Sequence, residues 1–598
     1  LDQLSSDNIK SVEVVSNPGA RYDASVKAVI RIITKKVAGE GIGIDNKTVV
    51  KNRNTYGWVV YDQFNVNYRK NGFDLSALLY GGTMKNGNDQ KFVIDTHLDK
   101  HWQQNLDLTD QTFRRTDTET MLSLNYQFNE NHAIGARYSM ERSPKNKSFI
   151  NQFAQTYCNG QLYEDLHSII IGDEPETYHR SNFYYNGKVK NWSIDFNMDG
   201  LWSDTKNTQT AKEDIKEGIN EDSDRTVTTF DTNRNDLYAA KLVLSHPLGK
   251  GDLSFGAEYS HNKRNTTYFN KEGIIDDDQA MIKEGTTSAF VEYARAFNQM
   301  QMQLGLRYEH VGFDYYDAGK LVAEQSKNYS NLFPSITFGF PIKGVQVQLG
   351  YANDIVRPDY WDLRSNATYV NRYMYSKGNP FLMPSITHNV TLAASYQWIN
   401  LYVGYSHIMD DMIQHTVAYS DDDPTIAILS TLNGNAYDKL VASINFSPTI
   451  GCWTPQLGLA IQKQWYEGET PQGKEMFNKP MGNFTFRNNF KLPKGFLLDV
   501  NGSWTTKGHS RNILLRDDMI DMSTSIYKSF MQDNFTVHLR ANSIFEPKQN
   551  VTAYSGIRVM QNISVHHRQI TLTIRYKFNH AKSKYKGTGA GESQKSRM

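Results

Sequence analysis

Two cysteines, Cys158 and Cys452, stand in a chain of 598 residues. They are too few for a disulfide framework and have no CxxC or Cys/His companion at metal-ligand spacing. Neither sign of charge is in excess. The 65 basic and 64 acidic residues leave a net charge of +1, which removes the electrostatic basis for nucleic acid as a partner. No run approaches about 18 consecutive apolar residues, so no segment can cross a bilayer as a helix. Hydrophobic residues amount to 39% and mean hydropathy is −0.60, low for a large soluble core but expected where half of every strand faces water. No charged and apolar leader opens the chain, so any export signal has been removed or lies outside it. HExxH, GxSxG and GK[ST] patterns are missing as well, which leaves catalysis without support; no enzyme activity, cofactor or metal is expected.

Aromatic rings, by contrast, are plentiful at 12% of the chain, which excludes a disordered polymer. The dominant pattern is strict alternation of apolar and polar residues over stretches of about ten, the length a tilted strand needs to cross a bilayer. Ile570, Leu572, Ile574, Tyr576 and Phe578 alternate with Thr571, Thr573, Arg575 and Lys577. Trp192, Ile194, Phe196, Met198, Gly200 and Trp202 do the same, with rings at the ends where an interfacial belt requires them.

Connections alternate between short and long. Short turns are expected near Lys70 to Gly72, Asn129 to Asn131, Lys190-Asn191, Pro247 to Gly251, Asn298-Gln299, Pro341 to Gly344, Trp398 to Asn400, Pro448 to Pro455, Leu492 to Gly495 and Gln532-Asp533. Between them run polar links, read as surface loops, about Ser143 to Tyr178, Asp204 to Asn233, Lys263 to Lys283, Asp314 to Tyr329, Ile355 to Pro384 and Asp410 to Asn433. Together these predict an all-β fold, an antiparallel transmembrane barrel of roughly 22 strands between Val37 and Asn579, both ends on the short-turn side. A propeller would repeat a motif every 40 to 50 residues or so, and none recurs; a sandwich would not sort its connections by length.

The segment from Asn8 to Lys36 is a pair of strands, around Ile9 to Val15 and Ala28 to Thr34, flanking a turn of Asn17, Pro18, Gly19, Arg21, Tyr22 and Asp23. It resembles the C-terminal end of the plug domain of TonB-dependent outer-membrane receptors. LFPSITFGF (332–340), VRPDYWDL (356–363) and GNPFLMPSITHNVTL (378–392) are similar to the barrel of the Bacteroidota-type branch of that family. RQITLTIRYKFN (568–579) resembles its last strand, whose aromatics, here Tyr576 and Phe578, would be the signal read by the barrel-assembly machinery. The resemblance implies three parts: residues 1–36 as the end of a plug, 37–579 as the barrel, and 580–598 as a disordered periplasmic tail. It further implies import of a scarce ligand, TonB contact through a segment not present here, and a surface lipoprotein as candidate partner. The chain would then be a partial one, since an unplugged barrel of this width is a leak. The runner-up is a non-transporting barrel that scaffolds a protein or lipoprotein assembly.

For a transporter, ligand should meet the outer loops. The link from Asp354 to Pro384 carries Arg357, Tyr360, Trp361, Arg364, Tyr369, Arg372, Tyr373 and Tyr375, suited to stacking on rings and pairing with anions; the same rings could instead close the loop on itself. Acidic triplets at 276–278 and 421–423 lack the spacing of a calcium loop. His566 and His567, adjacent in an expected strand, would point to opposite faces and chelate nothing together.

Overall fold

In a strand, side chains at i and i+2 share a face, and in this chain that period sorts lipid from water. The computed structural model describes residues 9–15, 18–34, 40–53, 56–218, 224–420, 426–579 and 585–598. Asn17, Val37 and the triplet 421–423 lie outside the described residues. Strands β1 (Ile9–Val15) and β2 (Val29–Thr34) form an antiparallel pair by themselves. From β3 (Gly41–Asn52) onward the chain builds a closed antiparallel barrel whose wall has 22 strands. The last strand, Gln569–Phe578, closes the seam on β3 with Ile44 opposite Phe578. Across that seam Arg575 donates to Asp45 through Nε at 2.7 Å and Nη2 at 2.5 Å, a two-pronged bond that holds the register.

The ten short turns fall where the sequence puts them; non-glycine residues in the left-handed region, such as Asn71, Lys190, Asn298, Lys343 and Gln397, mark the tightest. These turns form the periplasmic end in barrels of this class. On the strand Met300–Asp317, Leu304, Leu306 and Tyr308 face outward while Arg307, Glu309, Val311 and Phe313 are buried. Trp192 and Trp202 share the outer face of the strand Trp192–Gly218. At a rise of about 3.3 Å per residue and a tilt of about 40°, they bracket a belt close to the roughly 25 Å band of outer-membrane barrels.

Three expectations need correction. The links read as loops at 143–178, 204–233 and 263–283 are mostly strand: His132–Cys158, Gln161–Asp173, Glu176–Val189, Trp192–Gly218, Arg225–Leu248 and Gly251–Asn270 continue far beyond the belt. With water on both faces there, apolar periodicity vanishes while ladder hydrogen bonding continues. The tail is also not disordered over 585–598: it lies against the luminal wall, with Ala590, Ser593, Gln594 and Arg597 buried and a single helical turn, α1 (Glu592–Lys595). Its polar groups find partners on the wet inner face, a destination composition alone does not reveal. His566 and His567 fall in the short link 566–568 rather than in a strand, and His567 Nε2 meets Asp89 Oδ2 at 2.9 Å.

Candidate functional site

The outer mouth is crossed by a small four-stranded sheet made by two links. Ala367–Asn371 and Met374–Lys377 come from the first link, Met412–Ala418 and Ala427–Asn433 from the second, and Met374–Lys377 runs parallel to Ala427–Asn433. Its edges reach wall extensions on different sides of the barrel. Tyr369 OH donates to Glu213 Oε1 at 2.8 Å, and Arg372 donates to Glu213 Oε2 at 3.0 Å and Glu164 Oε2 at 3.1 Å. Elsewhere Thr416 Oγ1 meets Ser555 Oγ at 3.0 Å. Tyr369, Tyr375 and Ile428 of the sheet pack with Ile170, Val227 and Tyr268 of the wall extensions beneath it. This sheet is a lid held by an apolar underside and buried ion pairs at its rim.

Electrostatics fix the lid's charges. Burial draws the Arg372 proton affinity down, and Glu164 and Glu213 more than offset it, so the guanidinium is held above its ordinary value. Burial, reinforced by Glu213, pushes the Tyr369 phenol up and keeps it a donor. Burial lowers Arg364 to about 10, which leaves it charged at neutral pH.

The residues singled out in the sequence separate into three groups. Tyr369, Arg372 and Tyr373 are buried in the lid, Tyr373 with its ring 6.4 Å from Trp102. Trp361 is exposed, and the Arg364 guanidinium stacks on its ring at 3.2 Å; Arg364 Nη2 reaches Thr368 Oγ1 at 3.3 Å while its buried Nε has no partner among the described residues. Arg357 and Tyr360, at the root of the link, point into the lumen.

There the plug-like turn meets the wall. Pro18 and Ala20 are buried, and a Cβ on Gly19 would strike Glu292 Oε2 and Gln303 Nε2, so the turn reaches this depth because the residue at φ +83° is glycine. Arg21 and Tyr22 stay half-buried beside it. Asp23 Oδ1 and Oδ2 lie 3.9 Å from Arg357 Nη1 and 3.8 Å from Arg307 Nη2. Arg307 also donates through Nε to Glu309 Oε1 at 2.5 Å and through Nη2 to Ser288 at 2.8 Å; Glu309 Oε2 takes Arg357 Nη2. Four elements of the chain, the turn, the strands Met300–Asp317 and Asp278–Phe297 and the root of the link, thus share one buried network.

Several of these partners escaped sequence reading. Glu164, Glu213, Glu284, Arg307 and Glu309 look like ordinary wet-face positions of alternating strands; the Arg-x-Glu spacing of Arg307 and Glu309, which puts both on the luminal face, was the one available signal. Two hollows of about 140 and 310 Å³ also open among the outer links, sharing His415, Glu469 and Gly556. Tyr576 and Phe578 point outward near the periplasmic rim, 42% and 56% exposed.

The fold is that of known outer-membrane receptors. The siderophore receptor PirA from Pseudomonas aeruginosa matches with a TM-score of 0.61 at 13% identity, over 95% of this chain and 87% of that one. The FrpB iron transporter from Neisseria meningitidis matches at 0.60 and 12%, over 96% and 88%. The siderophore receptor PiuA from Acinetobacter baumannii gives 0.59 and 12%, over 96% and 87%. None of the curated proteins matches the sequence. The profile of the outer membrane protein beta-barrel family matches residues 184–576, from the strand Glu176–Val189 to the seam strand, and with the closed 22-stranded wall it shows that this chain is an integral outer-membrane protein belonging to that family.

Proposed function

We propose that the protein is an outer-membrane receptor that imports a scarce ligand with energy delivered through TonB. The observation that carries this reading is obstruction at two levels: the turn at residues 18–26 docks on the inner wall, and the four-stranded lid crosses the mouth. A passive pore needs a wet, open channel, whereas a gated importer needs removable obstacles. On this reading residues 1–36 are the end of a plug and 37–579 the barrel it closes. Ligand is captured first by Trp361 and Arg364, where a 43% exposed ring carries a stacked cation at the lid's edge. Similarity of fold to siderophore receptors makes an iron chelate the first ligand class to test. A surface lipoprotein would deliver or cover the ligand, and the barrel-assembly machinery would read Tyr576 and Phe578.

Uptake of radioiron from ferric siderophores, in cells whose own receptors are deleted and which express this protein from its full gene, tests the reading. Uptake should appear with functional TonB, vanish without it, and fall for Trp361→Ala. Equal uptake in TonB-deficient cells would overturn energised import, and failure with every chelate offered would overturn the iron assignment.

A further inference from the structure

The luminal wall holds carboxylates that a closed barrel cannot leave without cations. Glu284 and Glu258 come from neighbouring strands, and Glu284 is 2% exposed. A buried carboxylate without a countercharge is costly; Glu258 has Arg307 Nη2 at 3.4 Å and Lys241 Nζ at 3.8 Å from the wall itself, whereas the bidentate countercharge of Glu284 comes from the far end of the chain. Arg597 grips Glu284 with both prongs, Nη1 to Oε1 at 2.7 Å and Nη2 to Oε2 at 3.0 Å, and stacks over the Tyr360 ring at 4.2 Å. Lys595 Nζ donates to Asp199 Oδ1 at 2.8 Å. The backbone joins in: Ala590 N–H donates to Asp199 Oδ2 at 2.9 Å and Gly591 N–H to Glu258 Oε1 at 2.8 Å. Gly591 has φ +67°, and a Cβ there would meet Ala239 Cβ at 2.8 Å, so the segment lies this close to the wall only with glycine at that point.

We propose that Asp199, Glu258, Glu284 and the Tyr360 ring form a luminal binding site for an arginine-bearing cationic peptide, and that residues 585–598 of this same chain are its occupant. The site reads peptide chemistry: a planar cation for the Glu284–Tyr360 slot, an ammonium for Asp199, and two main-chain N–H groups. Occupancy has a mechanical consequence. Arg597 Nε donates to Pro358 O at 2.8 Å, Arg597 O accepts from Tyr360 N–H at 3.4 Å, and Ser593 Oγ accepts from Arg357 Nη1 at 3.0 Å. All three fasten the root of the link that carries half of the lid, so the bound tail straps the lid from below, and a competing cationic peptide in the lumen releases it.

Gln594 Nε2 donates to Thr286 Oγ1 at 2.9 Å, which supplies the test. Thr286→Cys and Gln594→Cys are introduced together in the full-length protein, in a Cys158→Ser, Cys452→Ser background, and treated in native outer membranes with a short bifunctional maleimide, because a glutamine side chain spans more than a direct disulfide can. A cross-link between the two peptides is expected by mass spectrometry, and an excess of the synthetic peptide of residues 585–598 should suppress it. The same peptide with Arg597→Ala should be at least about tenfold less effective, the loss expected for a charge-assisted pair. No linked peptide while both thiols are labelled in the folded barrel would overturn the proposal, and so would equal competition by the two peptides. The proposal rests on the wall and the tail and not on import, so its failure would leave the uptake result standing.

Discussion

Glu309 is shared by Arg307 and Arg357, and Glu309→Gln removes the charge that both were buried against. Breaking a buried ion pair from one side costs up to about 3–5 kcal/mol, and less here because Asp23 still faces both guanidiniums and Glu258 faces Arg307. The expected result is a clear fall in the temperature at which the protein loses its compact, unheated gel mobility, whereas Lys91→Ala, an exposed partner of Asp107, should leave it unchanged. A Glu309→Gln barrel as heat-resistant as the native one would show that the network contributes nothing to stability. At this scale the sequence was only partly legible. Arg357 and Arg372 were identifiable as unusual cations in one link, but their carboxylate partners sit in strands far away in sequence, where an acidic residue on a wet face looks unremarkable. Burial, which decides their role, depends on a lid and a tail that no local pattern announces.

Strands and their turns were far more legible, because a hydrocarbon belt imposes a two-residue period that water does not. The turns at Asn71-Gly72 and Lys343-Gly344 carry their own signature in residues that tolerate positive φ. Above the belt the period disappears, and the extended hairpins were misread as loops. The belt predicts its own test. Leu304→Arg puts a charge on the lipid face and should cost about 2–4 kcal/mol if the residue lies near mid-membrane, less towards the rims; the folded fraction after refolding into lipid vesicles should drop accordingly. Ser335→Arg, on the luminal side, should drop it less through lipid exposure alone. The lid has a separate expectation. Arg372→Ala leaves Glu164 and Glu213 without their shared guanidinium, so the rim loosens and single-channel recordings in planar bilayers should show more frequent open events than in the native protein. A variant as silent as the native protein would mean that the apolar underside alone keeps the lid closed.

For the molecule as a whole, parity is the strongest argument the sequence supplied: ten short turns separated by longer links return both barrel ends to one side, and the seam between β3 and the last strand confirms that count. The plug-like reading of the N-terminal turn anticipated part of the lumen's filling; what the sequence did not disclose is that the segment 585–598 joins the turn at residues 18–26 there, through contacts remote in sequence. The two free cysteines test the global arrangement. Cys158 ends an outer extension and Cys452 lies in a short connection at the opposite rim, separated by a hydrocarbon layer of roughly 25 Å. A polymer-linked maleimide too large to pass the outer membrane should therefore label Cys158→Ser cells no better than cells lacking the protein, and label Cys452→Ser cells at Cys158, which is half-exposed. Lysed cells should show labelling at Cys452 as well. The reverse pattern would invert the barrel in the membrane, and with it the assignment of lid to the outside and plug-like turn to the inside, while a disulfide between the two native cysteines would be incompatible with a spanning barrel of either orientation.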